Sequence, residues 1–219
     1  MNKELLKQII TPSLLLGIFA LVGVVVLSSV HSLTSHTIAQ NEQTSLLKQL
    51  AEVVDEGSYN NDLLNDYTML DGAALGSNYP VTVYRARQNG KPVTAIFVTS
   101  TPQGYSGTIK LVVGVRIDKS ISGVRVAQHN ETPGLGDKME LRKSDWVLSF
   151  NQTSLNNPQL SGWKVKKDGG EFDQFTGATI TPRAIVHAVK EVLLWSTHAQ
   201  QFDSIFQAPS EPAKVLDNG

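Results

Sequence analysis

The sequence contains no cysteine among its 219 residues. This absence excludes a disulfide framework, a thiolate zinc site and a cysteine-ligated iron–sulfur cluster. It leaves the compartment open, because a cysteine-free chain is compatible with either redox environment. An excess of positive charge is also lacking, since 19 basic and 20 acidic side chains give a formal net charge of −1. Nucleic acid is therefore not an expected partner.

Several catalytic signatures are missing as well. The sequence has no G-x-G-x-x-G fingerprint, no P-loop and no G-x-S-x-G nucleophile elbow, so no nucleotide-binding motif or serine hydrolase is indicated. His129 and Glu131 share one loop, but two potential ligands are too few for a metal site. We therefore expect neither a metal ion nor a catalytic side chain of the chain's own.

Charge is absent from a long apolar run, residues 9–30. Its 22 residues would span about 33 Å as a helix, close to the hydrocarbon thickness of a bilayer. Lys3 and Lys7 precede the run, and the next basic residue other than histidine is Lys48. The positive-inside rule then predicts a cytoplasmic N-terminus at 1–8, a transmembrane helix at 9–30 and the remainder on the outer side.

A cleaved signal peptide is the alternative for this segment. Its uninterrupted apolar core, residues 14–27, is short enough for one. No convincing small-x-small cleavage site follows the core, so a retained anchor is favoured. Both interpretations send the rest of the chain across the membrane.

The rest of the chain is predicted to form one α+β domain behind a stalk. Apolar residues recur at helical spacing after the span, which predicts a stalk helix at 31–57 that stops near Gly57. A periplasmic domain at 58–207 and a flexible tail at 208–219 follow. The expected domain has a twisted, mainly antiparallel sheet with packed helices.

Turn signals and β-branched runs divide this domain into elements. The Asn89-Gly90 dipeptide between two β-rich runs is the strongest signal and predicts a hairpin. The other predicted elements are a short helix at 62–67, a loop at 101–107, strands at 108–118 and 124–128 around a turn at 119–123, a short helix at 141–150 that Ser144 caps, a strand at 163–167 and a long loop at 167–179.

The last predicted helix is capped by Thr181, opened by Pro182 and extends to about residue 206. Its first turn has unpaired N–H groups and the positive end of the helix dipole, which favour a phosphate. Just before it, Gly177 and Ala178 leave the hydroxyl of Thr179 accessible. The pattern alone fits either a phosphate-bearing hydroxyl or a tight loop that feeds a capped helix.

A second loop, HNETPGLG at 129–136, combines a fixed proline with two glycines. A flat ring could lie against it, with Leu135 as an apolar contact and Glu131 or Thr132 as polar ones. An ordinary surface turn explains the same residues. Tyr105, between two glycines, fits either a ring-stacking residue or a simple turn.

These motifs together resemble one known family. DQFTGAT at 173–179 matches the Asp-x-x-(Ser/Thr)-Gly-Ala-Thr signature of the transferase that attaches FMN to threonine through a phosphoester. With the anchor, GYSGTI, HNETPGLG and FTGATITP in this order, the chain resembles the G subunit of the Rnf (Rsx) electron transport complex of bacterial inner membranes. The C subunit of the sodium-pumping NADH:quinone oxidoreductase is a near relative.

The resemblance implies a covalent FMN on Thr179 and a close-approach loop made by Thr176, Gly177 and Ala178. It implies that the flavin transferase reads Asp173. The remaining cofactor neighbours that it implies are Tyr105, Glu131, Thr132, Gly134, Leu135 and Gly136.

The implied role is electron relay within an inner-membrane complex that couples ferredoxin and NAD to ion movement. The chain would then be a redox-active subunit and not a stand-alone enzyme, with the other subunits, the transferase and membrane lipid as partners. Three alternatives remain open: the equivalent subunit of the sodium-pumping quinone reductase, a module for a noncovalent ligand, and a scaffold without a cofactor.

Overall fold

The computed structural model describes the backbone of residues 3–210 and the side chains of residues 13–31, 33–34, 41 and 43–210. It contains two compact units, residues 1–45 and residues 46–219. The side chains of the predicted cytoplasmic segment 1–8, and residues 211–219 of the predicted tail, lie outside the described residues.

Helix α1 runs from Lys3 to Ala51. The predicted span and most of the predicted stalk are one uninterrupted helix, which ends before Gly57. Within it, Ser13–His31 is long and apolar enough to cross a membrane, and none of that segment is buried in the protein. A helix that is apolar on all sides and buried by no protein surface is suited to lipid.

The second unit contains a five-stranded antiparallel sheet in which spatial order follows sequence order. This confirms the predicted α+β class. Its strands are β1 (Tyr67–Leu70), β2 (Val81–Gln88), β3 (Lys91–Gly104), β4 (Gly107–Arg116) and β5 (Ile121–Gln128). The Asn89-Gly90 hairpin is confirmed, because both residues have positive φ (51° and 78°) and Gln88 pairs with Lys91.

Three predicted boundaries in this region are wrong. Residues 63–65 form a turn where a short helix was predicted, and Tyr67 already belongs to β1 because it pairs with Tyr84 of β2. The predicted loop at 101–107 is mostly strand, because β3 and β4 stay paired down to Gly104 and Gly107. The predicted turn at 119–123 is shorter, since β5 begins at Ile121.

The predicted strand at 163–167 is also wrong. Trp163 and Val165 are buried, but Val165 forms only an isolated bridge with Phe172, and Lys166–Asp168 form a 3-10 turn. Apolar residues and lysines alternate here because Trp163 and Val165 pack inward, into an aromatic cluster with Phe150 and Phe172. This alternation suggested a strand. The short helix before it is confirmed as a 3-10 helix, Asp145–Phe150, with the Ser144 hydroxyl accepting a bond from the Trp146 N–H.

The predicted last helix is two helices, α2 (Ile180–Ser196) and α3 (Ala199–Gln207), interrupted at Thr197 and His198. The prediction that Thr181 caps α2 is wrong. Thr179 occupies the cap position, and Thr181 lies inside the first turn, fully buried. Helix α2 begins two residues earlier than Thr-Pro suggests, at Ile180 and not at Pro182.

Two hydrophobic clusters cover the two faces of the sheet. The larger cluster joins the sheet to α2, α3 and the aromatic side chains of Phe150, Trp163 and Phe172. The smaller one contains Leu50 at the end of α1 and residues of the segment that follows it. Full burial of one large apolar side chain stabilises a fold by about 1.5–3 kcal/mol, so both clusters hold the sheet firmly.

Candidate functional site

A cavity of about 260 Å³ lies where three separate segments of the second unit meet. The segments are the β3–β4 turn, the loop after β5 and the start of α2. The residues that line the cavity are Tyr105, Glu131, Thr132, Leu135, Gly136, Gly177, Ala178, Thr179 and Ile180.

The β3–β4 turn contributes Tyr105, a residue that is 70% exposed. Strand pairing leaves only Tyr105 and Ser106 between Gly104 and Gly107. Gly107 has φ of 112°, a conformation that other residues rarely adopt. The tight turn therefore holds an exposed aromatic ring at the rim of the cavity.

The loop after β5 is shaped by its own backbone bonds. The N–H groups of Leu135 and Gly136 both donate to the Thr132 carbonyl, at 3.1 and 3.0 Å. Gly134 has φ of 80°, and its N–H donates to Asp137 Oδ1 at 2.8 Å. The loop thus closes into a compact turn from which Leu135 stays 42% exposed.

The segment before α2 is a second tight turn. The Ala178 N–H donates to the Phe175 carbonyl at 3.2 Å, and Gly177 has φ of 84°. A Cβ atom at Gly177 would lie 3.2 Å from Leu135 Cδ2, so glycine permits the close approach of the two loops. The Trp146 indole N–H donates to the Asp173 carbonyl at 2.8 Å and ties the turn to the aromatic cluster.

Three threonines near the start of α2 have different environments. Thr176 is exposed and does not line the cavity. Thr181 is fully buried, and its hydroxyl donates to Glu131 Oε2. Thr179 is half-buried, lines the cavity and makes no capping hydrogen bond through its hydroxyl. Of these three, Thr179 is the one whose hydroxyl can accept a substituent within the cavity.

The structure brings together most of the residues singled out in the sequence, but not all of them. Thr176 and Gly134 adjoin lining residues in the chain without lining the cavity themselves. Asp173 is 68% exposed and forms an ion pair with Lys166, 2.7 Å from Oδ1 to Nζ. Ile180, 43% exposed, was missed; its position directly after Thr179 was the only available signal.

Charged pairs flank the cavity without entering it. His129 Nε2 lies 2.9 Å from Glu140 Oε1, and the pKa of Glu140 is lowered by hydrogen bonds from Arg142 and then His129. The Arg183 guanidinium makes two 2.6 Å bonds to Asp168 and lowers the pKa of that carboxyl. In the part of the chain that the structure describes, no group of three or more metal-ligating side chains occurs.

Comparison with known families and proteins assigns a class to this fold and cavity. Residues 104–194, which include all three cavity segments, match the FMN-binding domain family, and residues 1–53 match the RnfG N-terminal region. The chain thus combines an FMN-binding domain with an N-terminal helix that is apolar enough to cross a membrane.

Relatives extend over nearly the whole chain. A protein of Pseudoalteromonas atlantica, named as the G subunit of an ion-translocating oxidoreductase complex, is 48% identical over 208 residues, covering 94% of this chain and 96% of the relative. Proteins of the same name from Photorhabdus laumondii and Vibrio cholerae are 46% and 44% identical, over 82% and 86% of this chain and 86% and 90% of their own lengths. The chain belongs to the RnfG family, the G subunits of ion-translocating oxidoreductase complexes.

The residues of the cavity fit part of an FMN molecule. Its volume is slightly below the range of about 300–1,000 Å³ that is usual for small-molecule sites, so it suits a ligand that stays partly at the surface. Tyr105, Leu135 and Ile180 offer an aromatic and two apolar surfaces for a flat ring. The free hydroxyl of Thr179 and the adjoining helix start suit a phosphate.

Proposed function

We propose that this protein relays electrons within a membrane-bound ion-translocating complex through an FMN attached to Thr179 by a phosphoester. One observation carries the proposal: the Thr179 hydroxyl lies in the cavity without a capping bond, while the neighbouring Thr181 hydroxyl is buried and bonded to Glu131. Gly177 and Ala178 leave that hydroxyl accessible to a large substituent.

The start of α2 suits the phosphate of such a linkage. The first-turn N–H groups of a helix lack partners within the helix, and the dipole of α2 adds positive potential there. Pro182 has no N–H, and the Arg183 N–H donates to the Thr179 carbonyl within the helix, so the available first-turn donors are those of Ile180 and Thr181. A phosphodiester attached to the cap residue would lie within reach of these donors.

The ring of the cofactor would lie among Tyr105, Leu135 and Ile180, with Thr132 and Glu131 as polar neighbours. When bound, FMN supplies the one- and two-electron chemistry, and the protein holds, orients and electrostatically tunes it. The N–H groups of Leu135 and Gly136 are occupied by the Thr132 carbonyl, so the loop offers a preformed surface and not a set of free donors.

We extend the proposal to location and partners. Lys3 and Lys7 before the span favour a cytoplasmic N-terminus and a periplasmic FMN-binding domain in the bacterial inner membrane. The other subunits of the complex would couple ferredoxin and NAD to ion movement, and membrane lipid would surround the span. Labelling a Ser149→Cys variant of this cysteine-free chain with a membrane-impermeant reagent in intact cells tests the side of the membrane.

A flavin transferase would load the cofactor and read Asp173. The high exposure of Asp173 is compatible with recognition by an enzyme, since the carboxylate lies on the surface beside Lys166. In this assignment Asp173 is the residue that the transferase recognises and Thr179 is the residue that accepts the FMN. Only Thr179 lines the cavity.

The test is denaturing gel electrophoresis of the full-length protein, coexpressed with a flavin transferase and viewed under ultraviolet light. We expect a fluorescent band that Thr179→Val abolishes. Thr132→Val removes the other threonine hydroxyl that lines the cavity and should keep the band. A fluorescent Thr179→Val band would refute attachment at this residue, and flavin that is lost on denaturation would indicate a noncovalent site.

A further inference from the structure

Glu131 is a buried carboxylate at the cavity, with only 5% of the residue exposed. Its Oε1 accepts a hydrogen bond from the Ser106 N–H at 2.8 Å, and its Oε2 accepts one from the Thr181 hydroxyl. Ser106 belongs to the β3–β4 turn, Glu131 to the loop after β5, and Thr181 to α2. One side chain therefore holds together the three segments that form the cavity.

Two glycines leave room for this carboxylate. A Cβ atom at Gly104 would lie 2.9 Å from Glu131 Oε1, and one at Gly136 would lie 2.8 Å from Glu131 Cβ. Ordinary Cβ atoms do not approach other atoms so closely. The backbone on both sides of Glu131 is thus fitted to a side chain of this size in this position.

The charge of Glu131 has no basic partner among the described residues. His129, whose Nδ1 accepts from the Glu131 N–H, is paired with Glu140, and Lys143 is paired with Asp137. Burying an unpaired carboxylate is costly. A neutral glutamine could bridge the same two groups at lower cost, with its amide oxygen accepting from the Ser106 N–H and its amide nitrogen donating to the Thr181 hydroxyl. A purely structural bridge would not need the charge, whereas an electrostatic role would.

We propose that Glu131 is a positioning residue that fixes the three cavity segments and, through its negative charge, lowers the midpoint reduction potential of the bound FMN. Reduction adds negative charge to a flavin, and a fixed anion in a poorly solvated site opposes that addition. This inference rests on the proposed FMN site. It adds that the Glu131 carboxylate sets the reduction potential of the FMN bound there.

The test compares midpoint potentials of the FMN-loaded full-length protein in detergent, measured by spectroelectrochemistry. Glu131→Gln keeps the bridging shape and removes the charge, so we expect the potential to rise. The expected shift is at least a tenfold change in the reduction equilibrium, about 30 mV for a two-electron couple. Thr181→Val removes the hydroxyl that partly neutralises the carboxylate, so we expect the potential to fall.

Glu140→Gln serves as the matched control, because Glu140 is a partly buried carboxylate near the same loop that does not line the cavity. It should leave the potential unchanged. An unchanged potential in Glu131→Gln, or shifts of the same sign in Glu131→Gln and Thr181→Val, would overturn the inference, because mere loosening of the loops has no reason to change sign.

Two further outcomes are separable. If Glu131→Gln fails to load FMN, the sign of the Thr181→Val shift decides the question. If the parent protein itself shows no covalent flavin on a denaturing gel, the proposed function fails before Glu131 is tested. If the parent protein gives a fluorescent band and the midpoint potentials of Glu131→Gln and Thr181→Val shift in opposite directions, both the FMN site and the role of Glu131 are supported.

Discussion

At the scale of single residues, Gly136 shows how a missing side chain maintains the cavity. It is buried, and a Cβ atom there would lie 3.1 Å from both Glu131 Oε2 and Thr181 Oγ1. We expect Gly136→Ala to destabilise the full-length protein by about 1–3 kcal/mol, since overpacking displaces buried groups. The measurement is thermal unfolding in detergent.

Gly134→Ala is the control for this prediction. Gly134 lies in the same loop with positive φ, but a Cβ atom there would meet nothing within 4 Å. Its cost should be limited to backbone strain of about 1–2 kcal/mol, and flavin attachment should persist. An equal loss of stability in both variants would argue against the packing of Gly136 on Glu131 as the cause.

The sequence predicts the cavity residues better than it predicts what each one does. Thr179 follows from the Gly-Ala-Thr signature, but Thr181 before Pro182 has the pattern of a cap. Its burial and its bond to Glu131 depend on a loop 50 positions earlier in the chain, and no local pattern reveals a contact at that separation.

At the scale of elements, Arg85 connects β2 to the C-terminal helix. The residue is 1% exposed, and its guanidinium donates to the carbonyls of Ile205 and Ala208 at 2.8 and 2.6 Å. Its Nε lies 2.5 Å from Asp66 Oδ1, in an orientation that makes the contact an ion pair and not a hydrogen bond. A further bond to Ser210 shows that the first residues of the predicted flexible tail are anchored.

We expect Arg85→Met to lower the free energy of unfolding by about 3–5 kcal/mol, because it takes the guanidinium donor from the Ile205 and Ala208 carbonyls and removes one of the two cations beside Asp66. Limited proteolysis of the variant should cleave first near α3. Arg87→Met is the matched control, since Arg87 also contacts Asp66 and the Phe206 carbonyl but is more exposed. A resistant α3 in Arg85→Met would contradict the assigned role.

The hairpin at Asn89-Gly90 was predictable because the turn chemistry is local. The interruption between α2 and α3 was not, because the apolar pattern continues across Thr197 and His198. Arg85 itself left a signal: in VTVYRARQ it shares the inward phase with Val81 and Val83. A charged residue in that phase indicates a buried partner, though not which one.

At the scale of the whole molecule, paired carboxylates make stability depend on pH. The pKa of Asp55 is lowered, chiefly by hydrogen bonding from Arg116, and that of Asp118 is lowered by hydrogen bonds from Ser120. A carboxyl whose pKa is lower in the folded state stabilises the fold at pH values above its ordinary pKa of 3.8. That stability is lost as pH falls from 3.8 through the lowered values, so unfolding should become easier in this acid window.

Asp55→Asn tests the Asp55–Arg116 pair directly. Asp55 is half exposed, so its contribution at pH 7 should be no more than about 1 kcal/mol and should shrink in high salt. The difference in unfolding free energy between parent and variant should vanish below the lowered pKa. A difference that persists unchanged in acid would show that packing, and not charge, is responsible.

The cavity as a whole could not be derived from local patterns. Tyr105, Leu135 and Gly177 meet only because the meander of β3, β4 and β5 returns the chain to one end of the sheet, where α2 begins. The resemblance to a known family predicted that these motifs share one site. Periodicity and composition alone fit an ordinary turn at each of them. Long-range topology is the missing information.

The three tryptophans give the protein three distinct emitters. Trp163 is 1% exposed, and Trp195 contacts Phe97 edge to face with ring centroids 5.8 Å apart. Trp146 is half-buried, and its indole N–H holds the Asp173 carbonyl in the segment that leads to Thr179. With Trp163 and Trp195 replaced by phenylalanine, only Trp146 would fluoresce. Its emission wavelength and lifetime would then report, in real time, whether that segment is bound to the Trp146 indole.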